Sequence, residues 1–240
     1  MTAFRVALQF LTILPVHLAR PASPQTIGRS LLWYPLVGGL IGAGLLALAA
    51  AAHPLESGVK AALILTAWVL MTGTLHLDGL ADSADAWVGG FGDRARTLAI
   101  MKDPACGPAG VTALVLVLLL KFAALQALLA QGRLWPLVLA PLWGRTALVA
   151  LFATTPYVRP GGLGEALARH LPRRAALGTV LISLSLALPF SQTWPAGLAA
   201  LGAFFGLRRQ MGRRLGGTTG DTAGALVEIT ETAVLVATTI

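Results

Sequence analysis

The sequence predicts an all-α protein: a polytopic integral membrane helical bundle of about 7 transmembrane helices, preceded by a short N-terminal interfacial or re-entrant helix. Two observations predict this class. Of the 240 residues, 56% are hydrophobic and only 12% are charged, and the mean hydropathy is +0.75. Several apolar runs also approach or reach the roughly 20 residues that cross a bilayer. We therefore predict a single membrane-embedded catalytic domain over residues 1–240, without a separate soluble domain.

The predicted spans follow one another along the chain with short connections. Gly and Pro are frequent, which membrane helices tolerate better than soluble ones. The spans are predicted at residues 30–52, 60–78, 108–130, 134–154, 174–190, 194–207 and 220–240. Segment 4–18 is short for a span, lacks the cleavage pattern of a signal peptide, and is predicted to lie in the interface or to re-enter.

Aromatic and small residues support several of these elements. Trp33 and Tyr34 lie near the start of the first span, Trp135 near the start of the fourth and Trp194 near the start of the sixth, and such residues are enriched at membrane interfaces. The glycine-rich run 38–44 predicts close helix packing, because small residues let two backbones approach each other.

Lys and Arg are concentrated in alternate connections, which predicts an orientation. Thirteen of the 18 lie around residues 19–30, 79–107, 155–173 and 207–219. The connections between them carry only Lys60 and Arg133. Such alternation follows the positive-inside rule, so the four basic connections are predicted to face the cytoplasm. This distribution favours a membrane topology over nucleic-acid binding as the reason for the net charge of +8, and we expect no nucleic-acid partner.

Eight of the ten Asp and Glu residues fall in two short stretches. In the first, Asp78, Asp82 and Asp85 have helical i, i+4, i+7 spacing and share one face. Like charges so placed repel, and a bound divalent cation would neutralise them, whereas a solvated helix face is the simpler alternative. Asp103 is either a further metal ligand or a helix cap. The sequence predicts a Mg²⁺ site formed by these residues together with Asp221.

Basic residues beside the first stretch are predicted to bind substrate. Arg94, Arg96 and Lys102 could hold phosphate groups, although membrane topology alone would also place cations there. His76 could contact phosphate or act as a base, and a helix-packing histidine is the alternative. The single cysteine, Cys106, excludes an intramolecular disulfide and argues against a cysteine-based zinc site.

The second acidic stretch begins where a glycine- and threonine-rich loop opens an apolar helix. The free backbone N–H groups at such a helix start can receive an anion, so Thr219 and Gly220 are predicted to contact substrate. Asp221 is either a metal ligand or a helix cap. Glu228 and Glu231 follow on the same face and lie deeper along the helix.

Two cations lie inside predicted spans. Lys121 and Arg145 either pair with Glu228 and Glu231 or contact substrate phosphate, and we predict substrate binding for both. The general base of the reaction is predicted to be an unliganded carboxylate, either Asp82 or Glu228.

Together these segments resemble the adenosylcobinamide-GDP ribazoletransferase (cobalamin synthase) family. The resemblance rests on the sequences LHLDGLADSAD, IMKD and GGTTGDT, and on two earlier segments; they occupy residues 75–85, 100–103, 216–222, 9–16 and 34–38. The chain departs from the family at Ala86-Trp87, where the family usually has glycine, and at Gly107-Pro108, where it usually has a Gly-Thr pair.

The resemblance implies the late step of cobalamin nucleotide-loop assembly. Adenosylcobinamide-GDP and α-ribazole, or its 5′-phosphate, would be the substrates, GMP would be released, and Mg²⁺ would be required. It also implies a place in the bacterial cytoplasmic (inner) membrane, in contact with the lipid bilayer and with the active site facing the cytoplasm. The sequence is compatible with a homo-oligomer.

Three other functions also use acidic membrane helices. A CDP-alcohol phosphotransferase motif continues from Asp-Gly into Ala-Arg, whereas residues 78–82 read Asp-Gly-Leu-Ala-Asp. A prenyltransferase uses two paired aspartate-rich motifs, which the second acidic stretch matches poorly. A cation-coupled transporter would place its carboxylates near the bilayer midplane, whereas most of those here lie beside basic connections.

Overall fold

The computed structural model describes residues 2–186 and 191–240, and helices joined by short connections make up most of this part. In chain order the helices are α1 (Thr2–Leu11), α2 (Pro24–Ser30), α3 (Tyr34–Ala51), α4 (Ser57–Met71), α5 (Leu75–Gly89), α6 (Arg94–Ile100), α7 (Pro108–Ala130), α8 (Pro136–Thr154), α9 (Leu163–Arg169), α10 (Arg173–Ser185), α11 (Trp194–Leu215) and α12 (Gly220–Ala237). Short 3₁₀ turns cover Leu31–Trp33 and Ser191–Thr193. The predicted all-α class is confirmed.

Within the described residues, three helical stretches are long and apolar enough to cross a membrane. They are Pro24–Ala51, Pro108–Ala130 and Pro136–Thr154, with mean hydropathies of 1.9, 2.4 and 1.6. They cover the predicted spans 30–52, 108–130 and 134–154. Helices α4 and α5 satisfy the same criteria only as one pair, bent by 88°. The protein is therefore a helical membrane protein with three clear spans, or four if the bent pair counts as one, and the predicted number of seven is not confirmed.

The other predicted spans and segment 4–18 do not meet the same criteria of length and hydropathy in the described residues, and each has a physical reason. Helix α10 has 13 residues, and the end of predicted span 174–190 lies outside the described residues. The C-terminal third of α11 contains four arginines, so its apolar part is short. Helix α12 carries three carboxylates. Helix α1 has 10 residues, which corresponds to a length of about 15 Å, so it is too short to cross a bilayer.

The bend between α4 and α5 is formed at Gly73 and Thr74, whose φ angles are 59° and 60°. Glycine adopts this left-handed conformation readily, whereas it is uncommon for threonine. The N-terminal segment supports the bend, because the Ile13 N–H donates to the Met71 carbonyl at 2.9 Å. As a result, the helix that carries the first acidic stretch leaves the preceding helix at nearly a right angle.

Glycines allow the central helices to pack closely. A Cβ atom at Gly38 would lie 2.3 Å from the carbonyl oxygen of Pro141, so α3 and α8 are in backbone contact. This agrees with the packing predicted for the run 38–44. A Cβ atom at Gly79 would lie 2.6 Å from the carbonyl oxygen of Asp221. Helices α5 and α12, which carry the two acidic stretches, therefore touch at the residues that matter for the site.

Candidate active site

A cavity of about 750 Å³ lies where α5, α12 and the connections after α6 and α8 meet. Its lining contains both charged and apolar side chains. The charged side chains in the lining are Asp78, Asp82, Lys102, Asp103, Arg159 and Asp221. Four of the five predicted metal ligands therefore lie on one cavity, although they come from three separate parts of the chain.

Local helix geometry explains how α5 contributes to the lining of the cavity. Asp78 and Asp82 are one helical turn apart and both line the cavity. Burial, reinforced by the neighbouring Asp78 and Asp221 carboxylates, raises the pKa of Asp82 to about 6. Helix α5 follows the bend and is not one of the three clear spans. Asp82 is therefore protonated more readily than an ordinary aspartate.

Asp221 is held by a residue that we did not predict to belong to the site. Arg159 Nη1 donates to Asp221 Oδ2 at 2.5 Å, and both residues line the cavity. The backbone around Arg159 is fixed to the second acidic stretch, because Thr218 donates to the Pro156 carbonyl at 2.8 Å and Val158 donates to Thr218 at 2.9 Å. The sequence shows only that Arg159 lies in a basic connection, and the pairing depends on this long-range contact.

The start of α12 is capped by its own threonines. The Thr219 hydroxyl accepts the Thr222 N–H at 3.2 Å, and the Thr222 hydroxyl accepts the Thr219 N–H at 2.9 Å. Thr219 is fully buried and is absent from the cavity lining, whereas Gly220 belongs to it. The structure therefore gives the Thr219 side chain a capping role, and leaves the predicted substrate contact to Gly220.

Asp85 occupies a different position from the one predicted. It does not line the cavity, and its two carboxylate oxygens accept the N–H groups of Gly107 at 2.7 Å and Gly110 at 2.8 Å. These N–H groups lie at the start of α7, where backbone donors lack partners within the helix. Asp85 therefore caps α7 from another helix, and the structure does not place it with the other predicted metal ligands.

The predicted phosphate-binding cations are divided between two environments. Lys102 lines the cavity. Arg94 and Arg96 lie on α6, are exposed and are not part of the lining. The guanidinium of Arg96 lies 5.1 Å from the centre of the Phe91 ring, which is also exposed. The structure therefore brings only Lys102 of these three to the cavity.

Lys121 and Arg145 form buried ion pairs with the glutamates of α12. Lys121 Nζ lies 2.6 Å from both Glu228 Oε2 and Glu231 Oε2, and Arg145 pairs with Glu231 Oε1. All four side chains are buried and none of them lines the cavity. The predicted catalytic role of Glu228 and the predicted substrate contacts of Lys121 and Arg145 do not fit this arrangement. The pairing that the sequence left as an alternative is the one observed.

His76 connects this buried cluster to the cavity. Its Nδ1 atom lies 3.4 Å from Arg145 Nη2, and the residue belongs to the cavity lining. His76 therefore lies at the cavity, and its predicted contact with substrate stays a prediction.

The lining can hold a divalent cation only together with other ligands. Within the described residues, no three His, Cys, Asp or Glu side chains are arranged to hold a metal ion by themselves. Mg²⁺ does not require such a cage, because it usually retains waters and binds one or two carboxylates together with substrate phosphates. Asp78, Asp103 and Asp221, beside Lys102, therefore offer the one or two carboxylates that a cation shared with a diphosphate would use.

The fold and the cavity define a class of protein: a helical membrane protein with a cavity lined by both carboxylates and cations, the groups that phosphoryl-transfer sites use. Within that class, the chain belongs to the cobalamin-5-phosphate synthase family, whose family model matches residues 3–239. The resemblance inferred from the motifs is confirmed.

Curated relatives agree with this assignment over nearly their whole length. A protein from Pseudomonas putida (strain F1) is 60% identical over 238 residues, which cover 98% of this chain and 97% of the relative. Proteins from Pseudomonas fluorescens (strain Pf-5) and Pseudomonas aeruginosa (strain PAO1) are 59% and 58% identical; the alignments cover 98% and 97% of this chain, and 98% and 95% of the relatives. All three are named adenosylcobinamide-GDP ribazoletransferase. No solved structure matches the chain.

Proposed function

We propose that this chain transfers the corrinoid-phosphate group of adenosylcobinamide-GDP to α-ribazole, or to its 5′-phosphate, and releases GMP. The product is adenosylcobalamin or its 5′-phosphate. The observation that carries the proposal is the common cavity of Asp78, Asp82, Lys102, Arg159 and Asp221, in a chain that belongs to the cobalamin-5-phosphate synthase family. The name of the curated relatives specifies the same donor and the transfer of ribazole.

The reaction breaks one phosphorus–oxygen bond and forms another. The ribazole hydroxyl oxygen attacks the phosphorus on the corrinoid side of the diphosphate. The bond from that phosphorus to the bridging oxygen breaks, and GMP leaves with the bridging oxygen. Asp82 accepts the proton of the attacking hydroxyl, because a pKa of about 6 suits a general base near neutral pH. Glu228, the other predicted base, is paired with Lys121 outside the cavity lining.

Mg²⁺ is the proposed cofactor. One or two of Asp78, Asp103 and Asp221 would hold it together with the diphosphate, while Asp82 stays free to take the proton. When bound, Mg²⁺ supplies positive charge that neutralises the diphosphate oxygens during phosphoryl transfer. Lys102 binds a phosphate oxygen as a point charge, and Arg159 keeps Asp221 in position through their hydrogen bond.

We further propose that the protein lies in the bacterial cytoplasmic (inner) membrane with its cavity open to the cytoplasm. Lys102 and Arg159 line the cavity and belong to two of the four basic connections that the positive-inside rule assigns to the cytoplasmic side.

Purified protein tests this function directly. We expect GMP release from adenosylcobinamide-GDP only when both α-ribazole and Mg²⁺ are present. The Asp82→Asn variant should lose at least about 100-fold in rate, since a positioned base contributes that much. Asp93→Asn is the matched control, because Asp93 caps α6 and is absent from the cavity lining. Absence of GMP release by the wild type, or a rate independent of α-ribazole, would contradict the proposal.

A further inference from the structure

We propose that Arg159 is a catalytic residue: besides holding Asp221, it donates a hydrogen bond to the diphosphate of adenosylcobinamide-GDP. This role rests on the proposed function and deepens it, because it brings the arginine into direct contact with the substrate. Arg159 and Lys102 then neutralise the diphosphate together with the proposed cation.

The backbone directs the Arg159 side chain into the cavity. The segment that precedes Arg159 pairs with Thr218 through two backbone hydrogen bonds, of 2.8 and 2.9 Å, and through a bridge at Tyr157. Successive side chains of an extended segment point to opposite sides. Val158 packs against a small buried cluster around Met101. Tyr157 and Arg159, on either side of Val158, both line the cavity. The position of the guanidinium is therefore fixed from its backbone outward.

The guanidinium of Arg159 has more donors than Asp221 uses. An arginine side chain carries five N–H donors. The Nη1 atom donates to Asp221 Oδ2 at 2.5 Å, and Asp221 is the only hydrogen-bond partner of the Arg159 side chain within the described part of the chain. The Arg159 side chain is 24% exposed, whereas that of Arg145, which pairs with Glu231, is only 1% exposed. Arg159 can therefore hold Asp221 and a ligand at the same time.

The charge of the lining requires such a contact. Among the described residues, Lys102 and Arg159 are the only Lys or Arg side chains that line the cavity, and they share it with four aspartates. A diphosphate carries negative charge on both phosphates, so it needs cations at its non-bridging oxygens. Lys102 supplies one compact charge. The planar fork of Arg159 supplies another and matches the geometry of a phosphate group.

Arg159 also lies within electrostatic reach of the proposed base. Burial is the main cause of the raised pKa of Asp82, and the positive charge of Arg159 acts in the opposite direction. Both side chains line the same cavity. A phosphate held by Arg159 is then near the carboxylate that accepts the proton of the attacking hydroxyl, and catalysis by positioning requires this proximity.

Binding of GDP without metal separates the two roles of Arg159. GDP carries a diphosphate, and EDTA removes any contribution that Arg159 makes by orienting a metal ligand. We expect Arg159→Ala to raise the Kd of the purified full-length protein for GDP by about tenfold or more, because a charge-assisted hydrogen bond is lost. Arg159→Lys should bind GDP with intermediate affinity, since it keeps the charge without the fork.

Arg169→Ala is the matched control. Arg169 belongs to the same basic connection as Arg159, but it is exposed and absent from the cavity lining. Its Kd for GDP should equal that of the wild type.

A comparison in the Asp221→Asn background excludes an effect through Asp221. If Arg159 acted only by holding Asp221, its removal would change nothing further once the carboxylate is absent. We expect Arg159→Ala to weaken GDP binding by about tenfold or more in this background as well. Guanidinium ion, added at a low concentration, should also restore part of the GMP release of Arg159→Ala, which a misfolded variant would not show.

Three results would overturn the inference. They are an unchanged affinity of Arg159→Ala for GDP without metal, loss of the Arg159 effect in the Asp221→Asn background, and a wild type that does not measurably bind GDP. If Arg159→Ala does not fold, Arg159→Gln replaces it in the same comparisons. A wild type that binds GDP through Arg159 but releases no GMP from adenosylcobinamide-GDP would contradict the proposed function and leave the diphosphate contact intact.

Discussion

The guanidinium of Arg159 holds the carboxylate of Asp221 at 2.5 Å across 62 positions of the chain. The two side chains are 24% and 15% exposed, so the ion pair is partly shielded from solvent. It joins the connection after α8 to the first turn of α12. The orientation of one carboxylate in the proposed metal site therefore depends on a residue from a different part of the chain.

Replacing Arg159 should impair catalysis more than folding. We expect Arg159→Ala to lower kcat/KM for adenosylcobinamide-GDP by about tenfold or more, because a partly buried charge-assisted hydrogen bond is lost. Arg159→Lys should retain part of the activity, since the ammonium keeps the charge but cannot form the same planar contact. Initial rates of GMP release would measure both effects. Arg209→Ala, at an exposed position of α11, is the control and should resemble the wild type.

The rate should depend on pH through Asp82. Its pKa is raised to about 6, mainly by burial, so the carboxylate is the major form only above that pH. GMP release should rise about tenfold per pH unit below pH 6 and level off above about pH 7. Because the folded pKa exceeds the unfolded one, protonated Asp82 contributes stability at low pH, and this contribution is lost as the pH rises through about 6.

Two variants check this pH dependence. The residual activity of Asp82→Asn should lack the acid limb, and the profile of Asp93→Asn should match that of the wild type. An acid limb that persists unchanged in Asp82→Asn would show that a different group titrates.

Asp85 should matter for stability and not for metal binding. In Asp85→Asn only one oxygen remains to accept the N–H groups of Gly107 and Gly110, so one donor loses its partner. We expect a loss of about 1–3 kcal/mol, measured as a lower unfolding temperature in detergent. The Mg²⁺ concentration for half-maximal rate should not change. Asp78→Asn should show the reverse pattern, and a raised Mg²⁺ requirement in Asp85→Asn would restore its predicted role as a ligand.

Removing Lys121 should unbalance the buried charges. Lys121→Met leaves Glu228 and Glu231 against Arg145 alone, and breaking such a buried pair costs about 3–5 kcal/mol. Adding Glu228→Gln restores a neutral cluster and should recover a large part of this loss. Unfolding in denaturant, followed for the single and the double variant, would measure the difference. A double variant no more stable than the single one would argue against charge balance as the cause.

Close packing at Gly79 should be required for activity. An added Cβ atom would lie 2.6 Å from the Asp221 carbonyl oxygen, so Gly79→Ala must push α5 and α12 apart. Displacing catalytic groups by about 1 Å can reduce a rate by about 100-fold, and we expect a loss of at least tenfold in GMP release. Gly212→Ala is the control, because nothing lies within 4 Å of a Cβ atom there.

Features that depend on neighbouring residues could be predicted from the sequence. The spacing of Asp78 and Asp82 fixes their common face once a helix is assumed, and the structure places both on the cavity. The spans at 108–130 and 134–154 match helices α7 and α8 because long apolar runs are a strong local signal. Their bounds differ by at most two residues from those of the structure.

Features that depend on distant contacts could not be predicted. The same helical spacing predicts that Asp85 shares a face with Asp82. In the structure, the Asp85 oxygens accept hydrogen bonds from N–H groups at the start of α7. Helical spacing alone cannot predict this contact with another helix. The Lys121 pairings also required knowing which helices touch. In the sequence, Arg159 is one of several cations in a basic connection. Its place at the cavity depends on backbone hydrogen bonds between its segment and Thr218, which the sequence does not show.

The cavity takes its lining from Phe10 near one end of the chain and from Asp221 and Gly224 near the other. A ribosome delivers these residues to the membrane at very different times. Until the first turn of α12 is synthesised, the growing polypeptide lacks Asp221 and with it one carboxylate of the proposed cation site. We therefore expect unfinished chains that end before Asp221 to be inert towards the activated corrinoid.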